Sequence, residues 1–182
     1  VGTREITVPV FKLTTEDFKP FGTILKASDV RPTVHIPGVL NYWDEVAVLN
    51  HEDGRPELGY LRTMFRPFEF CEMERHVHSD EAFIPLENKT CLFALAPSCD
   101  PKDPTAEPDP SKAVAFILDG SCGVNLNAGV WHWAPFPLAD SIDFVLALRR
   151  GTPAEDIDMF DFSERLGVTF KIDLGKQPLH FG

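Results

Sequence analysis

The sequence has few cysteines, few basic residues and no long apolar segment. Its 182 residues include only four cysteines, and no two of them have the Cys-x-x-Cys spacing typical of zinc and thiol redox sites. Lys and Arg total 17 against 28 Asp and Glu, and the net charge of −11 argues against nucleic acid or an anionic membrane as the partner. No apolar run approaches about 18 residues, and no leader pattern opens the sequence. We therefore expect a cytoplasmic protein with reduced cysteines that binds neither nucleic acid nor a membrane.

Proline is abundant, with 16 residues, and it favours short strands over long helices. From about residue 45, short apolar runs are separated by turn residues every eight to about twelve positions, which is typical of an all-β sandwich or barrel. The strands expected on this pattern are residues 45–50, 60–65, 67–78, 81–86, 89–97, 113–118, 122–127, 129–136, 141–149 and 168–174. The length suits one core, so we expect a single domain over residues 1–182.

Three segments depart from the strand pattern. Residues 14–22, "TTEDFKPFG", begin with Thr14 as an N-cap and predict a short helix. Residues 153–167 predict a second, C-terminal helix. Residues 97–112 hold five prolines and little that is apolar, so we expect an exposed proline-rich loop there.

The stretch "ERHVHSDEAFIPL" (74–86) places potential metal ligands directly before an apolar run. Alternate side chains of a strand share a face, so the even positions 68 to 78 would point inward together, apolar at first and ending in Glu74, His76 and His78. The odd positions, which include Met73 and Arg75, would then form a mixed outer face. Such a strand suits a small barrel with a polar mouth.

Two short motifs in the right order resemble those of the cupins, double-sheet jelly rolls that hold a metal inside the barrel. The first is the His-x-His pair with its following carboxylate, and the second is "NAGVWHW", in which Gly129 makes the turn and His132 is the last ligand. The spacing leaves two ligand sets open: His76, His78, Glu81 and His132, or a shifted set of Glu74, His76, Glu81 and His132. Either would suit one divalent ion of Fe, Mn, Ni or Zn. The alternative is a hydrogen-bonded polar cluster without metal.

The segments "ERHVHSDEAFIPL", "DGSCGVNLNAGVWHW" and "DFVLALRR" together resemble the ureidoglycolate lyase family of the cupin superfamily. The positions that agree with the family pattern are Glu74, Arg75, His76, Ala82, Phe83, Ile84, Pro85, Leu86, Gly123, Val124, Asn125, Trp131, His132, Asp143, Phe144 and Arg149. The resemblance implies a cupin-type double-stranded β-helix (a jelly-roll barrel) with one or two short helices. It also implies a homodimer and the cleavage of a C–N bond that releases glyoxylate and urea.

Several polar positions of the family pattern are changed in this sequence. The changed positions hold Asn41, Leu126, Asn127, Trp133 and Leu148. Arginine forks are the usual partners of substrate carboxylates. We therefore expect that the loss of polar groups at these positions favours a substrate less polar than ureidoglycolate.

On this interpretation Glu74 is the acid–base group of a lyase that acts on a small molecule. The candidate substrate-binding residues are Tyr42, Arg66, Trp133 and Arg149. If His132 points into the barrel, Trp131 and Trp133 face the other way. An isomerase, cyclase or oxygenase acting on a larger hydroxy-carbonyl compound is the alternative enzyme, and a ligand-binding cupin without activity is the alternative outside catalysis.

Overall fold

The computed structural model describes residues 3–52, 54–100, 103 and 105–175. Strands make up most of its regular structure. The strands are β1 (Arg4–Val8), β2 (Val10–Lys12), β3 (Gly22–Leu25), β4 (Val34–Ile36), β5 (Leu40–Tyr42), β6 (Pro56–Met64), β7 (Glu69–Phe70), β8 (Glu72–Arg75), β9 (Glu81–Pro85), β10 (Cys91–Ala96), β11 (Val114–Leu118), β12 (Gly123–Leu126), β13 (Trp131–His132), β14 (Phe136–Pro137), β15 (Ser141–Arg149), β16 (Asp158–Asp161) and β17 (Val168–Ile172). The helices are α1 (Thr15–Phe18), α2 (Thr152–Glu155) and α3 (Phe162–Leu166), and a 3₁₀ turn covers Pro110–Lys112.

Two large sheets form the barrel. One has five strands in the order β3-β12-β9-β15-β6. The other has seven: six run β16-β8-β13-β10-β11-β2, and β14 also pairs with β10. Neighbours within the barrel sheets are antiparallel except for β11 and β2. This arrangement confirms the predicted all-β, cupin-type fold with few short helices.

A core rich in phenylalanine fills the space between the two large sheets. Its buried members are Phe18, Phe21, Ile24, Phe83, Cys91, Phe93, Leu95, Phe116, Leu118, Val124, Leu126, Val130, Ile142 and Phe144. The Phe83 and Phe93 rings meet edge to face with centroids 4.7 Å apart, an arrangement favoured by the aromatic quadrupole. This core closes the interior of the barrel below the polar end that holds the candidate site.

A second core lies on the other face of the seven-stranded sheet. A small sheet, β1-β17-β7, and helix α3 cover that face, and the Phe70 and Phe170 rings stack there at 4.7 Å. The expectation that Phe68 and Phe70 face the barrel interior was wrong, because β7 pairs with β17 and both rings pack in this second core. Met73 and Arg75 lie on the outer face of the sheet, as expected, but they are not exposed. Met73 is fully buried and Arg75 is only 1% exposed, because this third layer covers them.

The two predicted helices have different outcomes. Helix α1 is confirmed, and the hydroxyl of Thr14 accepts a hydrogen bond from the N–H of Asp17 as expected of an N-cap. The single helix predicted over residues 153–167 is wrong. Strand β16 divides the segment into α2 and α3, because its backbone pairs antiparallel with β8 and places Phe160 opposite Met73.

Outside the barrel, the loops agree only in part with the predictions. Residues 45–50 form no strand, whereas the strands before residue 45 went unpredicted. The described part of residues 97–112 has no strand and is mostly exposed, although Pro108 is buried and Cys99 half-buried. That the whole chain forms one domain stays a prediction. Among the described residues, no helix is both long enough and apolar enough to cross a membrane.

Candidate metal centre

Four polar side chains converge inside the barrel, at the ends of three strands. They are Glu74 of β8, His76 directly after β8, Glu81 at the start of β9 and His132 at the end of β13. Glu74 and His132 lie opposite each other in the register of β8 and β13, whereas Glu81 belongs to the other large sheet. The barrel thus brings together residues up to 58 positions apart in sequence.

The distances between these side chains are short. Oε2 of Glu81 lies 3.1 Å from Nε2 of His132 and 3.3 Å from Nε2 of His76. Oε1 of Glu74 lies 3.9 Å from Nε2 of His132, and one ligand atom from each of Glu74, His76 and His132 lies within 4.8 Å of the others. Metal bonds of about 2.0–2.2 Å place adjacent ligand atoms about 3–3.5 Å apart, so most of these separations suit a single ion.

The outer ring nitrogen of each histidine is held by a backbone carbonyl. Nδ1 of His76 lies 2.6 Å from the carbonyl oxygen of Asp156, and Nδ1 of His132 lies 3.0 Å from that of Val130. A carbonyl oxygen can only accept a hydrogen bond, so each Nδ1 must carry a proton, and each ring, when neutral, presents its lone pair at Nε2. This is the tautomer that binds metals through Nε2.

Two atoms at the centre of the cluster are buried without a hydrogen-bond partner: Oε2 of Glu81 and Nε2 of His132. Their separation is short, but the geometry does not allow an ordinary hydrogen bond. A buried polar atom without a partner costs about 1–3 kcal/mol, and more when it is charged. A cation or an added proton would remove that cost, so the residues fit a divalent metal ion.

Without metal, the ionisation of these groups is strongly coupled. Burial lowers the pKa of His76, but the Glu81 carboxylate outweighs burial and raises that pKa to about 9. Burial raises the pKa of Glu81, but the imidazoles of His132 and His76 outweigh it and lower that pKa to about 2. Metal-free protein therefore holds a proton where the loaded protein would hold the ion.

His78 is not part of this cluster. Its side chain is half exposed, and its Nδ1 lies 2.8 Å from Oε2 of Glu52 in a surface pair. The alternation of faces fails because β8 ends at Arg75, and the N–H groups of Val77 and His78 donate to the carboxylate of Asp156 instead of to a strand. The geometry therefore favours the shifted ligand set, in which Glu74 takes the place of His78.

Two candidate substrate-binding residues lie on the outer side of the seven-stranded sheet. Arg66 stacks on the Phe136 ring at 3.9 Å and donates to the backbone carbonyls of Ala134 and Pro135. Trp133 packs, half-buried, against the same outer core. Neither side chain reaches the cluster, because the inward face at this point of the chain belongs to His132.

The other two candidates also lie apart from the cluster. Tyr42 is 55% exposed and lines a shallow depression beside Leu25. Leu25 pairs with Gly123 at one end of β12, whereas Glu81 pairs with Leu126 at the other end. The depression beside Leu25 is therefore distant from the cluster. Arg149 lies on the face of β15 opposite to the buried Ile142 and Phe144, and its side chain pairs with Glu155 at 3.2 Å.

Two buried aspartates near the site were missed by the sequence reasoning. Asp156 holds His76 and the two residues after it, and Asp80 accepts from the N–H groups of Asn50 and Ala128. Both carboxylates lie in loops or at a helix end, where the sequence shows no periodicity that would indicate burial. Their role in holding the loops around the cluster is visible only from their hydrogen-bond partners in the folded chain.

Apolar side chains line one side of the cluster. The Phe83 and Phe93 rings lie 6.1 and 6.3 Å from the His132 ring, and Leu126 is opposite Glu81 in the strand register. The three arginines discussed above, Arg66, Arg75 and Arg149, are each occupied by other partners. The site therefore combines carboxylate and imidazole donors with an apolar interior.

Comparison with known proteins identifies the family of this chain. The family model described as ureidoglycolate lyase matches residues 5–169. A ureidoglycolate lyase of Burkholderia cepacia is 33% identical over 156 residues, covering 82% of each chain. Those of Burkholderia mallei (strain NCTC 10229) and Pseudomonas fluorescens (strain SBW25) are each 29% identical over 167 residues, covering 90% and 88% of this chain and 94% and 95% of theirs. The chain belongs to the ureidoglycolate lyase family, as its motifs indicated, and is an enzyme of the lyase class.

Proposed function

We propose that this protein is a metal-dependent lyase that cleaves the C–N bond of a small α-hydroxy acid bearing nitrogen on the same carbon. The observation that supports it most directly is the convergence of two Nε2 lone pairs and two carboxylates on one buried point. In this proposal one divalent ion of Fe, Mn, Ni or Zn is held by Glu74, His76, Glu81 and His132. When bound, the ion would polarise the hydroxyl and carbonyl oxygens of the substrate.

Glu74 is assigned the proton transfer. Its side chain is 26% exposed, whereas those of Glu81 and His132 are 7% and 4% exposed, so it is the member of the cluster that a substrate can reach. It takes the proton of the substrate hydroxyl as the C–O bond becomes a carbonyl. The electrons of the breaking C–N bond pass to nitrogen, which receives that proton, so an amide and an α-keto or aldehyde acid leave.

The relatives act, by their names, on ureidoglycolate, and we propose that this chain prefers a less polar substrate of the same chemistry. The two candidate arginines, Arg66 and Arg149, are engaged with other groups, and the interior beside His132 is lined by phenylalanine and leucine. A missing charge-assisted contact costs roughly 1.5–3 kcal/mol, or about one to two decades in binding or rate. Bound ureidoglycolate would therefore turn over slowly.

Steady-state urea release by protein loaded with each of the four metals tests this proposal. Activity should vanish after chelation and in Glu74→Gln, and the specificity constant for ureidoglycolate should lie below about 10⁴ M⁻¹s⁻¹. A value above that would overturn the altered preference but keep the lyase. Metal-independent turnover would overturn the proposed metal site.

The resemblance also supports a homodimer, which we propose as the working state. The outer side of the five-stranded sheet exposes apolar side chains on β6 and β9: Leu58, Tyr60, Met64 and Ile84. Light scattering across a hundredfold concentration range should give twice the chain mass of 20.4 kDa. A constant single-chain mass would contradict the dimer.

A cytoplasmic location is proposed as well. Cys71, Cys91, Cys99 and Cys122 are all free thiols, which suits a reducing compartment. Fractionation of the source cells should recover the protein with cytosolic markers, and recovery from an oxidising compartment would contradict the proposal.

A further inference from the structure

Asp156 contacts the segment that supplies His76 through three separate hydrogen bonds. Its backbone carbonyl accepts from Nδ1 of His76 at 2.6 Å. Its carboxylate accepts from the N–H of Val77 at 2.8 Å and from the N–H of His78 at 3.0 Å. The residue is only 5% exposed, so water competes poorly for these bonds.

These three bonds determine both the position and the tautomer of His76. The carboxylate fixes the backbone immediately after the histidine, and the carbonyl of the same residue fixes the ring. Because both partners belong to Asp156, a shift of the carboxylate relative to Val77 and His78 also moves the carbonyl that orients the imidazole. With all three bonds in place, Nε2 of His76 points at Oε2 of Glu81, 3.3 Å away.

Asp156 also links this segment to a distant part of the barrel. Its own N–H donates to the carbonyl of Thr152, the first residue of α2, and the Thr152 hydroxyl donates to the carbonyl of Arg149, the last residue of β15. His76 follows β8 of the seven-stranded sheet, but this chain of hydrogen bonds connects its imidazole to β15 of the five-stranded sheet.

We propose that Asp156 is a positioning residue of the metal centre, which acts through His76 and does not contact the substrate. This inference rests on the proposed metal site. A substitution of Asp156 keeps the backbone carbonyl that accepts from Nδ1 and removes the carboxylate that fixes its position, so it acts through the backbone of Val77 and His78. Loss of an outer partner that orients a ligating histidine typically changes metal affinity by about 10- to 100-fold.

Asp161 offers a matched control. It is also an aspartate whose carboxylate accepts two backbone N–H groups, those of Ser163 at 2.8 Å and Glu164 at 3.0 Å, but it caps α3 and touches none of the four cluster residues. Asp161→Ala should cost comparable stability without changing the metal centre. Asp156→Asn serves as the conservative variant, since its amide oxygen can still accept one of the two N–H bonds.

The test is calorimetric titration of chelator-treated protein with Zn²⁺, with unfolding measured in parallel. Asp156→Ala should weaken Zn²⁺ binding about 10- to 100-fold, Asp156→Asn should fall between it and wild type, and Asp161→Ala should bind within about threefold of wild type. The proposal is overturned if folded Asp156→Ala binds within threefold of wild type, or if Asp161→Ala weakens binding equally.

A second readout needs no metal. The Nδ1–H of His76 should give a protected ¹H–¹⁵N signal in wild type and Asp161→Ala and lose it in Asp156→Ala, with Asp156→Asn deciding if the alanine variant does not fold. If wild type binds no Zn²⁺, the proposed metal site fails, and this signal still tests the positioning role. Equal signals in all variants would overturn that role.

Discussion

Glu81 and His132 meet inside the barrel with Oε2 and Nε2 3.1 Å apart, although the two residues belong to different sheets. Neither atom has a hydrogen-bond partner. A contact of this kind between two buried acceptors is stable only with a positive charge between them, whether a proton or a metal ion. This contact therefore affects two measurable properties, the metal content of the protein and its stability.

Metal content should separate the two ligand sets. His76→Ala and His132→Ala should each lose most of the bound metal, because each removes a nitrogen aimed at the centre. His78→Ala should keep wild-type stoichiometry, since that side chain is half exposed and paired with Glu52. Elemental analysis of protein purified without chelator gives the answer, and loss of metal in His78→Ala but not in Glu74→Gln would restore the unshifted set.

The stability of the metal-free protein should depend on pH with a defined sign. The pKa of His76 is raised to about 9 in the folded state from 6.5, so its contribution is complete below pH 6.5 and is lost as the pH rises toward 9. The pKa of Glu81 is lowered to about 2 from 4.5, so its contribution is present above pH 4.5 and lost as the pH falls toward 2. Urea unfolding after chelation should show a maximum between these limits and a decline on the order of a few kcal/mol from pH 6.5 to 9.

Glu81→Gln is the control for that pH profile. Without the carboxylate the main cause of the raised pKa of His76 is gone, and only the carbonyl of Asp156 and the charge of Glu74 still raise it, so the alkaline decline should become much smaller. Stability that stays level or increases between pH 6.5 and 9 in the metal-free wild type would contradict the coupling of these two residues.

Arg66→Ala should reduce stability and leave substrate binding unchanged. The variant loses the stacking on Phe136 and the hydrogen bonds to the carbonyls of Ala134 and Pro135, which together are worth about 2–4 kcal/mol. Arg149→Ala loses only a partly exposed pair with Glu155, worth about 1 kcal/mol or less. Thermal unfolding and steady-state kinetics measure both, and a KM raised more than about tenfold in Arg66→Ala would reinstate it as a substrate-binding residue.

Gly22→Ala should be strongly destabilising. A Cβ at this position would lie 1.8 Å from the backbone oxygen of Asn125, so β3 could pair with β12 only after a backbone shift costing about 2–4 kcal/mol. At Gly59 the nearest atom to an added Cβ is Cβ of Leu146, at 3.6 Å, and Gly59→Ala should be close to neutral. Equal unfolding midpoints for the two variants would contradict this packing.

The strand pattern predicted the strands of the barrel better than the segments that cover the outer face of the seven-stranded sheet. Strands such as 141–149 have strong apolar patterns and turn signals at their ends, so their existence follows from local sequence. Strand β16 lies in a segment whose local sequence also suits a helix, and pairing with β8 decides between the two. The burial of Arg75 likewise depends on distant partners, the Trp131 ring and Asp158.

The family, the barrel and the candidates for the site follow from the order and spacing of short motifs in the sequence. The choice between Glu74 and His78 as the fourth member of the cluster depends on how the chain folds. Local alternation placed both on one face, but β8 ends at Arg75, and the carboxylate of Asp156, eighty positions after His76, takes the next N–H groups. A side chain's direction beyond the end of a strand depends on such long-range hydrogen bonds, which no local pattern contains.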